Sequence, residues 1–331
     1  MNKLMLGAAA VALTLAVSPA FAADDSGVKL GLGGYFKGYM NYSSQDSTRD
    51  VDMLRDTEVH FGGETTLDNG LTVGAHIETA ADGDNGFEID ESYVYFAGSW
   101  GRVNAGREDG AAYLLQVAAP SADDNIDGIR SFITPVALTG APRSDYANDF
   151  AKSADKVTYL SPVFSGFQAG ASYATENSAA TSGGNRTSTT QSDVMEAAVR
   201  YEGMVGSVGL ITGAGYTTAG DADYDAWNLG ADLDIGAFGL GAVYLAEDDA
   251  TVDTDTWALG ADYTTGPFKL GASYLNSDED GAGELDRYAA GVVYSYGPGM
   301  TFRGSVGYSE TNDTAADDDA TTVTVGTQIN F

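Results

Sequence analysis

Apolar and polar residues alternate along much of the chain, most clearly over its last eleven residues, 321–331. The apolar side chains share one parity and the polar side chains share the other: Val323, Val325, Ile329 and Phe331 against Thr322, Thr324, Gln328 and Asn330. A period of two residues is that of a β-strand with two different faces. One apolar face beside lipid and one polar face beside water is typical of a membrane-barrel strand.

A short Gly-Ala-x-Tyr pattern recurs and extends the prediction of two-faced strands over the C-terminal half. It occurs at residues 170–173, 213–216, 241–244, 260–263 and 271–274, with Gly-Val-Val-Tyr at 291–294 as a relative. In each copy the second and fourth residues share the apolar parity. The spacing is irregular, whereas a soluble repeat protein would keep a fixed period. Hairpins with loops of different lengths explain both features.

The connections between these segments are of two kinds. Short Gly-, Asn- and Pro-containing turns occur at 68–70, 98–101, 264–267 and 296–299. Longer acidic loops are predicted at 82–90, 221–225, 247–255, 278–286 and 310–319. Short turns at one end and long loops at the other are the plan of an outer-membrane barrel. The pattern therefore predicts an all-β, transmembrane, antiparallel β-barrel of about sixteen strands.

The basic residues within the predicted strands test this reading. Each lies on the polar parity: Lys37, Arg200, Lys269, Arg287 and Arg303. A charge on the lipid face at mid-bilayer would cost about 2–4 kcal/mol. Their placement indicates a wet interior, although a soluble β-sandwich would also alternate in this way.

The N-terminus and the composition narrow the class of protein. Residues 1–22 resemble a cleaved signal peptide, with Lys3, an apolar core and Ala20-Phe21-Ala22, which leaves 23–331 as one barrel domain. The net charge of −32 argues against a nucleic-acid partner. At 43% hydrophobic residues the chain is too apolar for disorder, and it contains no cysteine.

Several segments together resemble a Gram-negative general-diffusion porin of the alphaproteobacterial type. They are Gly33-Gly-Tyr-Phe-Lys-Gly38, Glu58-Val-His-Phe-Gly-Gly-Glu64, Leu67-Asp-Asn-Gly-Leu71, Tyr93-Val-Tyr-Phe96, Gly101-Arg-Val-Asn-Ala-Gly-Arg-Glu-Asp109, Asp155-Lys-Val-Thr-Tyr-Leu-Ser-Pro162 and the terminal Phe331. The resemblance implies a trimeric sixteen-stranded barrel in the outer membrane. It also implies passive diffusion of small hydrophilic solutes, contacts with lipid and lipopolysaccharide, and no enzymatic activity or cofactor.

The resemblance further implies a constriction loop, and the longest gap between strands, about 107–154, fits one. Its acidic tip carries the positions matched to the family: Asp123, Asp124 and Asp127. Apolar anchors for this loop are Ile126, Ile129, Phe132 and Ile133. Surface acids like those of the other loops are the alternative reading.

The opposite pore wall departs from the family pattern. Lys37 matches one basic position, whereas Glu58 and Tyr93 stand where enterobacterial relatives carry arginines. Arg287 and Arg303 are expected to substitute in part from late strands. The wall is therefore less basic than the family pattern, which predicts a preference for cations.

Two histidines share the inward parity of one hairpin. A turn at 68–70 would pair Thr66 with Thr72 and place His60 opposite Glu78, with His76 diagonal to His60. Hydrated pore-wall histidines are the expected reading; a pH response or a transition-metal site are the alternatives. On that reading, His60→Ala leaves the zinc sensitivity of the conductance unchanged.

Other chemistry is weaker. Asp82, Asp84, Glu88 and Asp90 loosely resemble a calcium loop without the EF-hand spacing, so Ca²⁺ at acidic loops is a weak candidate. No nucleophile–base arrangement is recognisable. The predicted function is a water-filled, cation-preferring diffusion channel. The alternatives are a substrate-selective porin, for example for sugars on Tyr35, Tyr39, Tyr93 and Tyr95, or a secreted acidic β-rich adhesin or calcium-binding surface protein.

Overall fold

The computed structural model describes residues 28–331 except 47, 84–85, 137, 139–140, 178–191, 221 and 314–316. The predicted signal peptide therefore lies outside the described residues. The strands are β1 (Lys29–Ser43), β2 (Val51–Thr66), β3 (Thr72–Gly83), β4 (Gly86–Gly98), β5 (Gly101–Arg107), β6 (Asp155–Leu160), β7 (Phe167–Glu176), β8 (Ser192–Val205), β9 (Val208–Ala219), β10 (Tyr224–Ile235), β11 (Phe238–Asp249), β12 (Val252–Thr265), β13 (Phe268–Glu279), β14 (Gly283–Gly297), β15 (Met300–Asp313) and β16 (Asp317–Asn330). One helical turn, α1 (Ala111–Leu114), follows β5. Among the described residues, no helix is long and apolar enough to cross a membrane.

The sixteen strands form one closed antiparallel barrel, in which each strand pairs with its neighbours in sequence. The last strand closes the sheet by pairing with the first, with Phe36 opposite Ile329. At the end of the chain, the N–H of Phe331 donates to the carbonyl of Gly34, and the N–H of Gly34 donates to the carbonyl of Phe331, both at 3.0 Å. The prediction of a sixteen-stranded barrel is confirmed, and the alternative of a soluble β-sandwich is wrong because the sheet has no second layer.

The two faces of the strands follow the predicted parities. In β16, Val325 is 55% exposed and Ile329 is 39% exposed, whereas Thr324 is 1% exposed. Lys37, Arg200 and Arg287 are buried on the opposite parity from the apolar residues. The outer face thus carries the apolar side chains that lipid solvates, and the inner face carries the polar ones.

The predicted acidic loops are shorter than the sequence suggests. Only residues 250–251 separate β11 from β12, and within the acidic stretch Asp248 pairs with Asp253. Likewise, 280–282 alone separate β13 from β14. The acidic residues are therefore mostly the hydrated ends of long strands. Period-two patterning cannot mark these ends because both faces of a strand beyond the bilayer are polar.

The exception is the 108–154 segment between β5 and β6, which contains α1 and agrees with the predicted gap. The glycines of the Gly-Ala-x-Tyr pattern lie directly against it. A Cβ added to Gly260 would lie 1.7 Å from the carbonyl oxygen of Pro120, and one added to Gly271 would lie 2.6 Å from that of Ser121. A Cβ on Gly213 would lie 3.2 Å from the Val117 side chain. The recurring glycine is thus a contact position that lets the segment approach the strands.

Candidate pore-lining site

Arg303 on β15 connects the inner wall to the acidic tip of the 108–154 segment. Its guanidinium donates to Asp123 and, at 2.9 Å, to Asp124. Tyr39 on β1 donates its hydroxyl to the second carboxylate oxygen of Asp123 at 3.0 Å. The Asp123 side chain is 2% exposed, whereas that of Asp124 is 75% exposed. Asp123 is therefore an anchor, and Asp124 is the acid of this pair that water reaches.

Arg287 on β14 holds the same segment through its backbone. The guanidinium donates to the Ile126 carbonyl, to the Ser144 carbonyl at 3.2 Å and to the Ser131 hydroxyl at 3.0 Å. Asp127 lies nearby and is buried, and within the described part of the chain its Oδ2 has no hydrogen-bond partner. Burial raises the pKa of Asp127, and the charge of Arg287 opposes that rise.

Lys37 contacts the segment through an aromatic ring rather than a carboxylate. Its ammonium donates to Asp56 at 2.8 Å and lies 3.9 Å from the centre of the Phe132 ring. The structure thus places Lys37 in an ion pair within the wall. Asp123 and Asp124 are paired with Arg303 instead.

Bonds to strands on the opposite side of the barrel hold both ends of the segment. Arg200 on β8 donates to the Gln116 carbonyl at 3.0 Å, and the Ala112 N–H donates to Glu196 at 3.0 Å. Asn148 donates to Asn228 on β10, also at 3.0 Å. Together with Arg303 and Tyr39, these contacts connect the segment to strands on opposite sides of the barrel.

The inner face of β2–β4 carries acids and aromatic rings. Glu58 and Glu78 are partly buried, and Glu78 lies opposite Glu91 in the β3–β4 register. The aromatic rings form one row across four strands, with neighbouring centroids 5.4–6.5 Å apart: Tyr35, His60, His76, Tyr93 and Tyr95. This stretch of wall therefore carries acids and a row of planar rings, unlike the basic wall of the family pattern.

The histidine hairpin has the register that the sequence predicts. Thr66 pairs with Thr72, and His60 lies opposite Glu78. His60 Nε2 is hydrogen-bonded to Glu58 at 3.1 Å, and His76 Nε2 lies 2.6 Å from Glu78. Both imidazoles are buried on the inner face.

A polar cavity of about 380 Å³ lies where the segment leaves β5 and returns to β6. Its lining includes Asp90, Glu91, Asp109, Arg130 and Asp149. Arg130 donates to Asp149 and lies 3.7 Å from Asp109. Burial raises the pKa of Glu108 to about 8 and that of Asp109 to about 6, although neighbouring basic groups oppose both shifts.

A family model described as Gram-negative porin matches residues 8–327 of the chain. The chain belongs to the Gram-negative porin family. This family consists of outer-membrane channels rather than enzymes, which excludes the adhesin reading. No curated protein matches this porin.

Solved porin structures share its fold. The anion-selective porin from Comamonas acidovorans is 18% identical with a TM-score of 0.67, covering 92% of this chain and 100% of that one. A mutant of the Rh. blastica porin is 19% identical with a TM-score of 0.64 and the same coverage. In vitro folded OmpT of Vibrio cholerae, in its trimer form, is 14% identical with a TM-score of 0.61, again with that coverage.

The weak calcium candidate of this porin is only partly within the described residues. Asp84 and the side chain of Asp82 lie outside them, and Glu88 is exposed on β4. Asp90 accepts a hydrogen bond from Ser153 at 3.3 Å. Calcium binding at this loop therefore stays a prediction.

Several residues of the site escape sequence reasoning. Glu91 lies within β4, and Glu108 and Asp109 directly follow β5; the cavity that Glu91 and Asp109 share is completed by the return of the segment at 149–153. Nothing in the sequence distinguishes Asp56 from the other acids of β2, because its role depends on its bond with Lys37. Only the Glu-Asp pair directly after Arg107 offers a local signal.

Proposed function

We propose that this porin is a water-filled, cation-preferring channel for passive diffusion of small hydrophilic solutes, and that the 108–154 segment narrows its lumen. The contacts of the segment support this placement. It bonds to Arg303 and Tyr39 at one side and to Arg200 and Asn228 at the other, all on the inner parity. A segment held from both sides on the inner face crosses the space inside the barrel.

The observation that carries the cation preference is the pairing of the bases. Arg303 is bound to Asp123 and Asp124, Arg287 to backbone carbonyls, and Lys37 to Asp56. The inner face of β2 and β3, by contrast, carries Glu58, Glu64 and Glu78, and the base beside this stretch of wall is Arg102 on β5. A wall of one charge sign in a low-dielectric frame concentrates counter-ions of the other sign. The anion selectivity of the Comamonas relative does not carry over at 18% identity.

Removing the wall charges tests this proposal. We expect the triple variant Glu58→Gln, Glu64→Gln, Glu78→Gln to lower the cation-to-anion permeability ratio by at least about tenfold in dilute salt, because each charge contributes about 0.5 kcal/mol at roughly 8 Å in water. The measurement is the reversal potential in a salt gradient. The matched control removes three acids at the strand ends, Asp248→Asn, Asp249→Asn and Asp253→Asn. An equal loss in this control would show that the barrel mouth, not the wall, sets the preference.

The cation preference is also expected to rise with pH. Glu108 and Asp109 are neutral below their raised pKa values of about 8 and about 6 and charged above them. Reversal potentials measured from pH 5.5 to pH 9 should therefore become more cation-selective, and Glu108→Gln should remove the part of the rise near pH 8. A flat profile in the unaltered protein contradicts the assignment.

Sugar transport is the second candidate function, and the row of aromatic rings from Tyr35 to Tyr95 favours it. Flat apolar faces side by side suit the apolar faces of pyranose rings. On this hypothesis, maltose-type sugars reduce the ion current, and Tyr93→Ala weakens that block, whereas Tyr296→Ala, an exposed residue of the barrel end, does not. Absence of any block in the unaltered protein removes this candidate.

We also propose that the protein assembles as a homotrimer. It is supported by the trimer form of the Vibrio cholerae relative with the same fold. A detergent-corrected mass of three chains is the expected result, and a mass of one chain would contradict it.

A further inference from the structure

Two histidines and a glutamate converge on the inner face of the β2–β3 hairpin. His76 Nε2 lies 2.6 Å from Glu78 Oε1, and His60 Nδ1 lies 3.8 Å from the same oxygen. One ligand atom from each of the three side chains lies within 4.8 Å of the other two. The side chains of the three residues are only 6–13% exposed. The three groups therefore share one small, sheltered point rather than lining the wall separately.

The β-sheet register produces this convergence. His60 on β2 lies directly opposite Glu78 on β3, and His76 precedes Glu78 by two residues on the same face. Cross-strand pairs and i, i+2 neighbours are the closest side-chain positions on one face of a sheet. The ligand positions are thus fixed by hydrogen-bonded strands rather than by a loop.

Neighbouring groups orient both imidazoles. Glu58 lies 3.1 Å from His60 Nε2, which leaves Nδ1 as the nitrogen that faces Glu78. The His60 ring meets Tyr35 edge-on at 5.9 Å, and the His76 ring packs on Tyr93 at 5.4 Å. A carboxylate on the far nitrogen of a histidine is the usual outer contact of a metal ligand, because it fixes the tautomer and raises the basicity of the imidazole.

We propose that His60 Nδ1, His76 Nε2 and one carboxylate oxygen of Glu78 bind a Zn²⁺-class transition-metal ion in the pore wall, with Glu58 as a positioning residue for His60. Zinc binds imidazole nitrogen at about 2.0–2.1 Å and carboxylate oxygen at about 2.0–2.2 Å, so tetrahedral ligand atoms lie roughly 3.4 Å apart. The separations of 2.6 and 3.8 Å lie on either side of this value. Small side-chain movements therefore complete three ligands and leave a fourth position for water.

The surrounding charge also favours a divalent cation. The Glu58 carboxylate lies beside His60, and Lys37 on β1 is bound to Asp56 at 2.8 Å. Two imidazoles select Zn²⁺, Cu²⁺ or Ni²⁺ over Ca²⁺ and Mg²⁺, which require oxygen ligands. This selectivity distinguishes the hairpin site from weak ion binding by the many exposed acids of the chain.

The test is a Zn²⁺ titration of the refolded, full-length barrel in detergent. Binding is measured by calorimetry in the presence of a large excess of Ca²⁺. Calcium occupies the exposed carboxylates, so we expect one Zn²⁺ per chain to bind. His76→Gln should weaken that binding at least about 100-fold, and Glu58→Gln should weaken it about tenfold, as expected for an outer contact. Glu64→Gln is the matched control, because Glu64 lies on the same strand face and bonds to Tyr95 rather than to the histidines.

Two results would overturn the proposal. One is Zn²⁺ binding that Ca²⁺ abolishes. The other is calcium-resistant Zn²⁺ binding that is the same in His76→Gln and His60→Gln as in the unaltered protein. Heat-modifiable gel mobility must show in this case that both variants are folded. If the variants do not fold, Co²⁺ added to the unaltered protein decides the question. An intense visible ligand-field band indicates four- or five-coordination with nitrogen ligands, and the weak spectrum of six-coordinate Co²⁺ contradicts the site.

Discussion

Gly260→Ala is expected to displace residues 119–121 from the inner wall, destabilise the barrel by about 1–3 kcal/mol and lower the single-channel conductance. A Cβ at this position would lie 1.7 Å from the carbonyl oxygen, 2.7 Å from the carbonyl carbon and 2.9 Å from the nitrogen of Pro120. These are backbone atoms, so no side-chain rotation relieves the overlap. The segment can only move away from the wall and into the lumen.

The neighbouring strands reinforce the effect at this point. Gly260 pairs with Gly241, and a Cβ on Gly241 would lie 2.7 Å from the Pro120 ring. Gly304→Ala is the matched control: it adds the same methyl group on β15, where the nearest heavy atoms are 3.8 Å away. Conductance and urea midpoint should change in Gly260→Ala alone. Unchanged conductance in Gly260→Ala would mean that the segment does not narrow the channel.

Arg303→Gln is expected to release the acidic tip of the segment, with a cost of about 3–5 kcal/mol for leaving a buried charge without its partner. The Asp123 side chain is 2% exposed and would keep only its neutral hydrogen-bond donors, Tyr39 and Asn125. Because this cost applies to the segment rather than to the whole sheet, the tip should open locally. The measurement is the rate of proteolytic cleavage within 108–154, together with current noise in single channels.

A double variant separates charge burial from packing. Asp123→Asn combined with Arg303→Gln removes both charges, so it should restore much of the protection that Arg303→Gln loses. Lys269→Gln is the control pair: Lys269 lies 3.2 Å from Asp262 with 42% of its side chain exposed, and such pairs contribute about 0–1 kcal/mol. Equal cleavage of the Arg303 and Lys269 variants would contradict the anchoring role of Arg303.

Much of the fold follows from sequence patterns because the barrel obeys a two-residue period. The opposite faces of Val325 and Thr324 and the pairing of Thr66 with Thr72 are local consequences of alternation and turn length. The length of the strands was harder to predict. The acidic stretch at 247–255 reads as a loop, yet only 250–251 lie outside strands, because polar residues continue the ladder where no lipid selects an apolar face.

The site was less predictable because it depends on contacts between residues far apart in the chain. The parity of Arg303 indicates that it faces inward, but nothing local indicates that it binds Asp123, which is 180 positions away. The Gly-Ala-x-Tyr pattern was visible in the sequence, whereas its packing reason appears only when Pro120 is seen against Gly260. The convergence of His60, His76 and Glu78 follows from a register that the turn at 68–70 does predict.

The most direct test of the central claim is the reversal potential of purified protein in a planar bilayer under a KCl gradient. The account predicts large ohmic current steps whose reversal potential has the sign of cation preference, because the inner face of β2 and β3 carries Glu58, Glu64 and Glu78 while Arg287 and Arg303 are bound to the 108–154 segment. Large steps with an anion-signed potential would contradict this account of the charges. Folded, inserted protein that gives no steps would contradict an open channel altogether.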